Sequence, residues 1–177
     1  MADVKKTAAW LSICIGCVAS FEGLRTVAYT DPAGIPTVCF GETKDVRLGD
    51  SHTAEECRTL LRGRLEEFGG YVDSCVSVLL PPARKAALTS FTYNVGQQAF
   101  CTSTLVALLN EGRVYEACNQ LLRWNKITKA GVKIVLPGLT TRRQVERLMC
   151  LEEWYETPTK EAIESRRDVF LGIYFKP

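Results

Sequence analysis

The spacing of apolar and polar positions changes along the chain, and each change marks an element. Trp10, Leu11, Ile13, Cys14, Cys17 and Val18 fall near helical spacing. That predicts a first helix over about Val4–Leu24, with Gly23 as its exit. From Val27 to Thr43, aromatic and β-branched residues are punctuated by "DPAG" and Pro36. This reads as short strands around turns, and it is the only convincing β region. "KDVRLGD" follows as a loop. Thr53 and Glu56 then fit a capping box, in which hydroxyl and carboxylate satisfy orphan backbone amides. Cys57, Leu60, Leu61, Phe68, Val72, Cys75 and Val76 recur on one side of the helix that it opens. Gly69 and Gly70 are expected to bend or break that helix, which is long enough to space a small β lobe from the remainder.

Pro82 suits the first turn of a further helix ending near Gly96, with Leu88, Phe91 and Val95 facing inward. "TSTLVALLNEG" and "RVYEACNQLLRW" predict two more helices, and Gly112 stops the first. "NKITKAGVKIVLPG" carries Gly and Pro and is expected to be a loop. Thr141 and Gln144 are placed to cap a helix through Met149. Beyond Leu151, "PTKEAIESRRDVFLGIYF" reads as one more helix with an apolar end. No internal repeat is present. The expected class is α+β: mainly helical, with a β lobe at about 25–52, a helical lobe at about 53–151 and an extension at 152–177.

Composition narrows the function classes. A chain of 177 residues suits one domain with a real core, and 46% apolar against 24% charged residues argues against disorder. A net charge of +2 without a long basic run gives no argument for nucleic acid. The eight cysteines point to an oxidising compartment and structural disulfides. Free buried thiols are the second reading. A metal site is the weakest, because only Cys14 and Cys17 form a close pair and the lone His52 is distant in sequence. Residues 7–21, "TAAWLSICIGCVASF", follow Lys5 and Lys6 and are mostly apolar. They read as a buried first helix, or as the hydrophobic part of a secretion signal or weak membrane anchor. Cleavage after Ala19 would leave Glu22 at a frayed terminus, so it is disfavoured if Glu22 has a role.

Candidate chemistry lies in "FEGLRTVAYTDPAGIPTVCFGET". Glu22 closes the first helix beside Phe21, where apolar surroundings would keep a carboxyl protonated. Asp31 lies in a turn with Pro32 and Gly34, wet and rich in amides, which favours the anion. Thr37 can hold a water by its hydroxyl. One neutral and one ionised carboxyl group are the minimum machinery for cutting an acetal, and a water held between Asp31 and the sugar implies inversion. The ordinary readings remain open: a helix-end charge, a turn residue and a strand residue.

The order and spacing of Glu22, Asp31 and Thr37 resemble the phage-type lysozymes, the endolysins of glycoside hydrolase family 24. "TAEECRTLL" is similar to the start of that family's long interlobe helix, "SFTYNVG" to its segment of the same shape, and "GLTTRRQVERLMC" to its late helix. The resemblance implies a lysozyme-like fold with a cleft between two lobes. It also implies cleavage of the β-1,4 bond between N-acetylmuramic acid and N-acetylglucosamine in peptidoglycan glycan strands, leading to host cell lysis. Glu22 would be the acid, Asp31 the residue supporting water and Thr37 its positioning partner. No metal or organic cofactor is implied, and a monomer acting in the host periplasm is expected. Pairing of Cys39 with Cys57, Cys75 with Cys101 and Cys118 with Cys150 is implied by the same resemblance. Some relatives of the signal-anchor-release type hold their N-terminal segment in the inner membrane until lysis. Transient membrane association through residues 7–21, with control through Cys14 or Cys17, is therefore an expectation; two thiols that simply pack in the core are the alternative.

One departure is Glu42, in "CFGET", where the family commonly has histidine. A third acid there either repels charge on Asp31 or pairs with a nearby Arg or Lys in a structural role. Arg142 and Arg143 contact the wall polymer or pair with Glu146. Trp124 packs in the bundle or stacks on a sugar, Asn94 lines the cleft or caps a helix, and His52 is a solvated loop residue. The rival functions are a non-catalytic peptidoglycan-binding or inhibitor module on the same fold and a membrane-disrupting helical protein.

Overall fold

The computed structural model describes residues 2–31, 34–129 and 131–151, with side chains from residue 9 onward. Helix α1 (Ala2–Glu22) buries Trp10, Leu11, Cys14 and Val18 along one side. It ends at Glu22 because Gly23 takes φ +70°, a left-handed exit that glycine allows at little cost. Strands β1 (Arg25–Thr30) and β2 (Pro36–Cys39) form an antiparallel hairpin with Tyr29 opposite Thr37. Helix α2 (Ala54–Cys75) opens with the predicted Thr53–Glu56 capping box. Helices α3 (Pro82–Val95), α4 (Gln97–Cys101), α5 (Thr104–Asn110) and α6 (Val114–Gln120) follow. After a short 3-10 turn at Leu121–Arg123 come strands β3 (Lys126–Lys129) and β4 (Val132–Val135), then helix α7 (Pro137–Cys150).

Helix α3 is the central element, and α1, α2 and α7 all pack on it. It is buried from Ala86 through Thr92, so it has no solvent stripe. Small residues at Ala86, Ala87 and Ser90 let its neighbours approach closely. Three disulfides join the elements as the resemblance implied. Cys39–Cys57 ties β2 to α2, Cys75–Cys101 ties the end of α2 to α4, and Cys118–Cys150 ties α6 to α7. They close loops of 18, 26 and 32 residues. Loops of that size correspond to about 3–4 kcal/mol each in the chain-entropy account. Cys14 and Cys17 are free thiols.

Three expectations are corrected. Residues 126–129 and 132–135 are strands, not loop: Lys126 pairs with Val135 and Lys129 with Val132 in an antiparallel hairpin. The β-branched residues there were the missed signal, and Gly131, at φ +79°, marks the turn rather than the end of structure. Helix α7 starts at Pro137, four residues before Thr141, with proline at the first helical position and no side-chain cap. Gly69 and Gly70 do not interrupt α2. The helix expected beyond Leu151 lies outside the described residues.

Gly69 has a packing reason to be glycine. The indole of Trp10 lies directly on it, and a Cβ built there would stand 2.5 Å from Trp10 Cη2. At Gly70 a Cβ would meet nothing within 4 Å. Gly69→Ala is expected to lower stability by about 1–3 kcal/mol through overpacking. Gly70→Ala is expected to raise it by about 0.5–1 kcal/mol through helix propensity. Thermal unfolding of the two variants checks the opposite signs.

Candidate active site

Glu22 is placed by the end of α1, where the helix delivers its side chain toward α7. Arg142 Nη1 donates to Glu22 Oε1 at 2.5 Å, and the Arg142 guanidinium also lies 5.2 Å from the Phe21 ring centre. The surroundings of Glu22 are therefore not the apolar ones expected: a cation grips one carboxylate oxygen. The physical reason is that Arg142 already has a buried place to stand. Its Nε donates to Glu146 Oε1 at 3.0 Å and its Nη2 to the Ser90 carbonyl at 3.1 Å. Ser90 Oγ donates to the same Glu146 oxygen at 2.8 Å. Arg142, Arg143 and Glu146 are all buried. The other Glu22 oxygen, Oε2, faces the chain at Gly41, where a Cβ would lie 3.6 Å from it and 3.9 Å from the Tyr93 hydroxyl. Gly41 has φ +86°, and the Tyr93 hydroxyl donates to the Phe40 carbonyl at 2.8 Å, anchoring that turn to α3.

Asp31 and Thr37 meet around one residue of the β1–β2 turn. The Asp31 amide donates to the Ile35 carbonyl at 3.0 Å, and the Thr37 hydroxyl donates to the same carbonyl at 3.0 Å. The Ile35 amide returns a bond to Asp31 Oδ1 at 2.8 Å. The expected amide-rich turn is thus present, and the Thr37 proton is committed to the turn. Its hydroxyl oxygen can still accept a bond from water. Thr37 is buried and Asp31 half-buried.

Glu42 takes the structural role. Its Oε1 accepts from the amides of Thr43 and Lys44 at 2.9 and 2.8 Å, and its Oε2 lies 3.2 Å from Arg64 Nε. Arg142 and Arg143 both pair with Glu146, as one of the two readings held. Arg143 Nη1 stands 3.1 Å from Glu146 Oε2 without hydrogen-bond alignment, and neither atom has a hydrogen-bond partner among the described residues. Asn94 neither caps nor stands free; its Oδ1 accepts from Arg143 Nη2 at 2.5 Å. Trp124 packs edge-on against Phe91, with ring centres 5.3 Å apart. His52 is half-buried, with its amide bonded to the Thr26 carbonyl. It lines a cavity of about 660 Å³ between the β lobe and α2, which includes Glu42 and Arg64 but none of Glu22, Asp31 and Thr37.

The titration of the buried network follows from its packing. Burial pushes the Glu146 carboxyl up, against the pull of Arg143 and Arg142. Burial pulls Arg143 down to about 10. It also works against the charge on Arg142, but Glu146 and Glu22 outweigh it and hold Arg142 above its ordinary value. Burial raises the Tyr93 hydroxyl, and the nearby Glu22 and Glu42 raise it further. Cys17, whose thiol lies 3.8 Å from Ser90 Oγ, is pushed by burial up to about 12, and burial raises Cys14 as well. The residues that were not anticipated are Ser90, Tyr93 and Gly41. The Arg142–Glu146 spacing, four apart on one helix, was the readable trace of the network.

The family model described as phage lysozyme matches residues 19–146. The chain is 40% identical over 142 residues to the SAR-endolysin of Pseudomonas phage phiKMV, covering 80% of this chain and 88% of that protein. It is 42% identical over 131 residues to the SAR-endolysin of Enterobacteria phage P21, covering 73% and 77% respectively. Its fold is similar to the muramidase domain of SpmX from Asticaccaulis excentricus, with a TM-score of 0.75 and 34% identity over 78% of this chain and 95% of that one. An endolysin from Escherichia coli O157:H7 phage FAHEc1 matches with a TM-score of 0.75 and 33% identity, covering 81% and 94%.

Two predictions follow from the buried groups. Arg142→Ala removes the Nε–H bond to Glu146 and leaves that buried carboxylate with Ser90 and Arg143; it should cost about 1.5–3 kcal/mol, the usual worth of a hydrogen bond to a charged group, and chemical denaturation measures it. For Cys17, a rise from 9.0 to about 12 lowers the reactive thiolate fraction at pH 8 by about a thousandfold. Alkylation should therefore find two thiols in denaturant and almost none in the native protein.

Proposed function

Because this chain belongs to the phage lysozyme family, we propose that it is an endolysin muramidase. It hydrolyses the β-1,4 bond between N-acetylmuramic acid and N-acetylglucosamine in peptidoglycan. The observation that carries this reading is the division of labour at Glu22. Arg142 holds Oε1, while Oε2 looks onto a chain segment that has no side chain at Gly41. In this reading the glycosidic oxygen takes its proton from Oε2, the oxygen that Arg142 does not touch. The leaving sugar departs with that proton. Positive charge then develops at the muramic acid anomeric carbon, and Asp31 opposes it. Asp31 accepts an amide bond from Ile35 in its turn, which fixes the direction of its carboxyl group. Water supported by Asp31 and by the free acceptor face of Thr37 adds to the anomeric carbon and gives up its proton to Asp31. Arg142 is a positioning residue, since it acts through Glu22.

The catalytic unit is a single lysozyme-like domain that works on the wall from the host periplasm as a monomer. Residues 7–21 associate briefly with the inner membrane before α1 takes its packed place. Among the described residues, no helix is long and apolar enough to cross a membrane, so that association would be peripheral or weakly inserted. Burial of Trp10, Leu11, Cys14 and Val18 supports the packed form as the active one.

Glu22→Gln is expected to cut the clearing of outer-membrane-stripped cells by at least about 100-fold while leaving the fold intact, as loss of a general acid does. Wild-type digests should show new reducing ends on muramic acid. Free amines or cut peptides would instead mean an amidase or peptidase, and clearing that survives the substitution would mean a binding or membrane-disrupting protein. Gly41→Ala places a methyl group 3.6 Å from Glu22 Oε2 at φ +86°. It should reduce kcat more than stability, with the backbone strain itself only about 1–2 kcal/mol. Steady-state kinetics and thermal unfolding on the same samples separate the two effects.

A further inference from the structure

The β3–β4 hairpin is not explained by hydrolysis at Glu22. All eight strand residues are exposed. Its register sorts them onto two faces. The cross-strand pairs Ile127–Ile134 and Lys129–Val132 share one face; Lys126–Val135 and Thr128–Lys133 share the other. The first face therefore carries three aliphatic side chains in water: Ile127 is 40% exposed, Ile134 41% and Val132 63%. The second carries two lysines and borders a cavity of about 570 Å³ that Arg123 and Trp124 also line. No acidic residue occurs anywhere between Glu116 and Glu146. One face thus presents aliphatic side chains beside Lys129 and the other presents Lys126 and Lys133, a combination of apolar and basic surface that marks an interaction site.

We propose that this hairpin docks on the surface of an anionic phospholipid bilayer. The aliphatic face enters the boundary between headgroups and acyl chains, and Lys129 extends its ammonium outward from that face while its stem stays apolar. Lys126 and Lys133, on the opposite face, and Arg123 beside them add attraction to the negative surface over the short distance that salt allows. A glycan strand is the poorer occupant, because it offers no apolar layer for Ile127, Val132 and Ile134. The site is separate in sequence and in the fold from α1, so it is a second membrane contact and does not rest on residues 7–21. Its consequence is orientation: the enzyme is held at the bilayer by its helical lobe.

The test uses the full chain and vesicles of phosphatidylglycerol and phosphatidylethanolamine, with phosphatidylcholine vesicles as the neutral control. The parent should sediment with the anionic vesicles, weaken in high salt, and bind the neutral ones poorly. Changing Lys126, Lys129 and Lys133 together to Gln should weaken partitioning by about 100-fold, at about fivefold per lysine. Ile127→Ser combined with Ile134→Ser should weaken it as well. Digestion of purified, lipid-free sacculi should stay within about twofold of the parent in both variants, since none of these side chains contacts Glu22, Asp31 or Thr37. A further probe, Val132→Trp, should shift its fluorescence to the blue on anionic vesicles and be quenched by brominated lipid. The proposal is overturned if the lysine variant partitions like the parent, if α1 alone accounts for all vesicle binding, or if Trp at position 132 stays in water. It is also overturned if the variants lose sacculus digestion instead, which would assign the hairpin to the wall. Failure of the parent to digest sacculi at all would count against the muramidase reading, not against this one.

Discussion

The structure depends on one buried charge cluster, in which Arg142 connects Glu146, Ser90 and Glu22. These four residues come from α7, α3 and α1, the three helices that make up the centre of the molecule. A guanidinium taken out of water demands partners on several of its donors. Here the donors are spread over a carboxylate below, a backbone carbonyl beside it and a second carboxylate above. The arrangement cannot form unless the three helices are at the right distance and rotation. The packing of these helices and the direction of the Glu22 carboxyl group are therefore set by the same contacts.

The small β lobe is attached differently. Its hairpin turn is closed by local bonds around Ile35, so Asp31 and Thr37 hold their relation without help from the bundle. Attachment to the bundle comes from the Cys39–Cys57 disulfide, from the Tyr93 hydroxyl on the Phe40 carbonyl, and from Glu42, which pairs with Arg64 of α2. Glu42 thus replaces a histidine in the usual family pattern with a carboxylate that is fully occupied in joining lobe to helix. It does not act on Asp31 as a loose third charge.

Much of this could be read from the chain in advance, and the failures are informative. The Thr53–Glu56 box, Pro82 at a helix start and the apolar face of α1 are local signals, and they hold. The late hairpin is masked by Gly and Pro, which are loop composition, while its strand signal lies in the β-branched residues between them. Gly69 looked like a helix breaker when taken alone; only the position of Trp10, 59 residues earlier by sequence number, shows why it is there. At the candidate site, the turn around Asp31 was legible from its proline and glycine, but the cation on Glu22 was not. The contact joins residues 120 apart in sequence, and no local pattern encodes it. Tyr93 and Gly41 were missed for the same reason: their roles exist only where two distant segments touch.

That separation of residue 22 from residue 142 has an effect on timing. A ribosome releases the acid-bearing helix long before the arginine that aims it. Until nearly the whole chain has emerged and closed on itself, the acid has no fixed direction. The contact between α1 and α7 is thus among the last to form, because its two ends lie 120 residues apart.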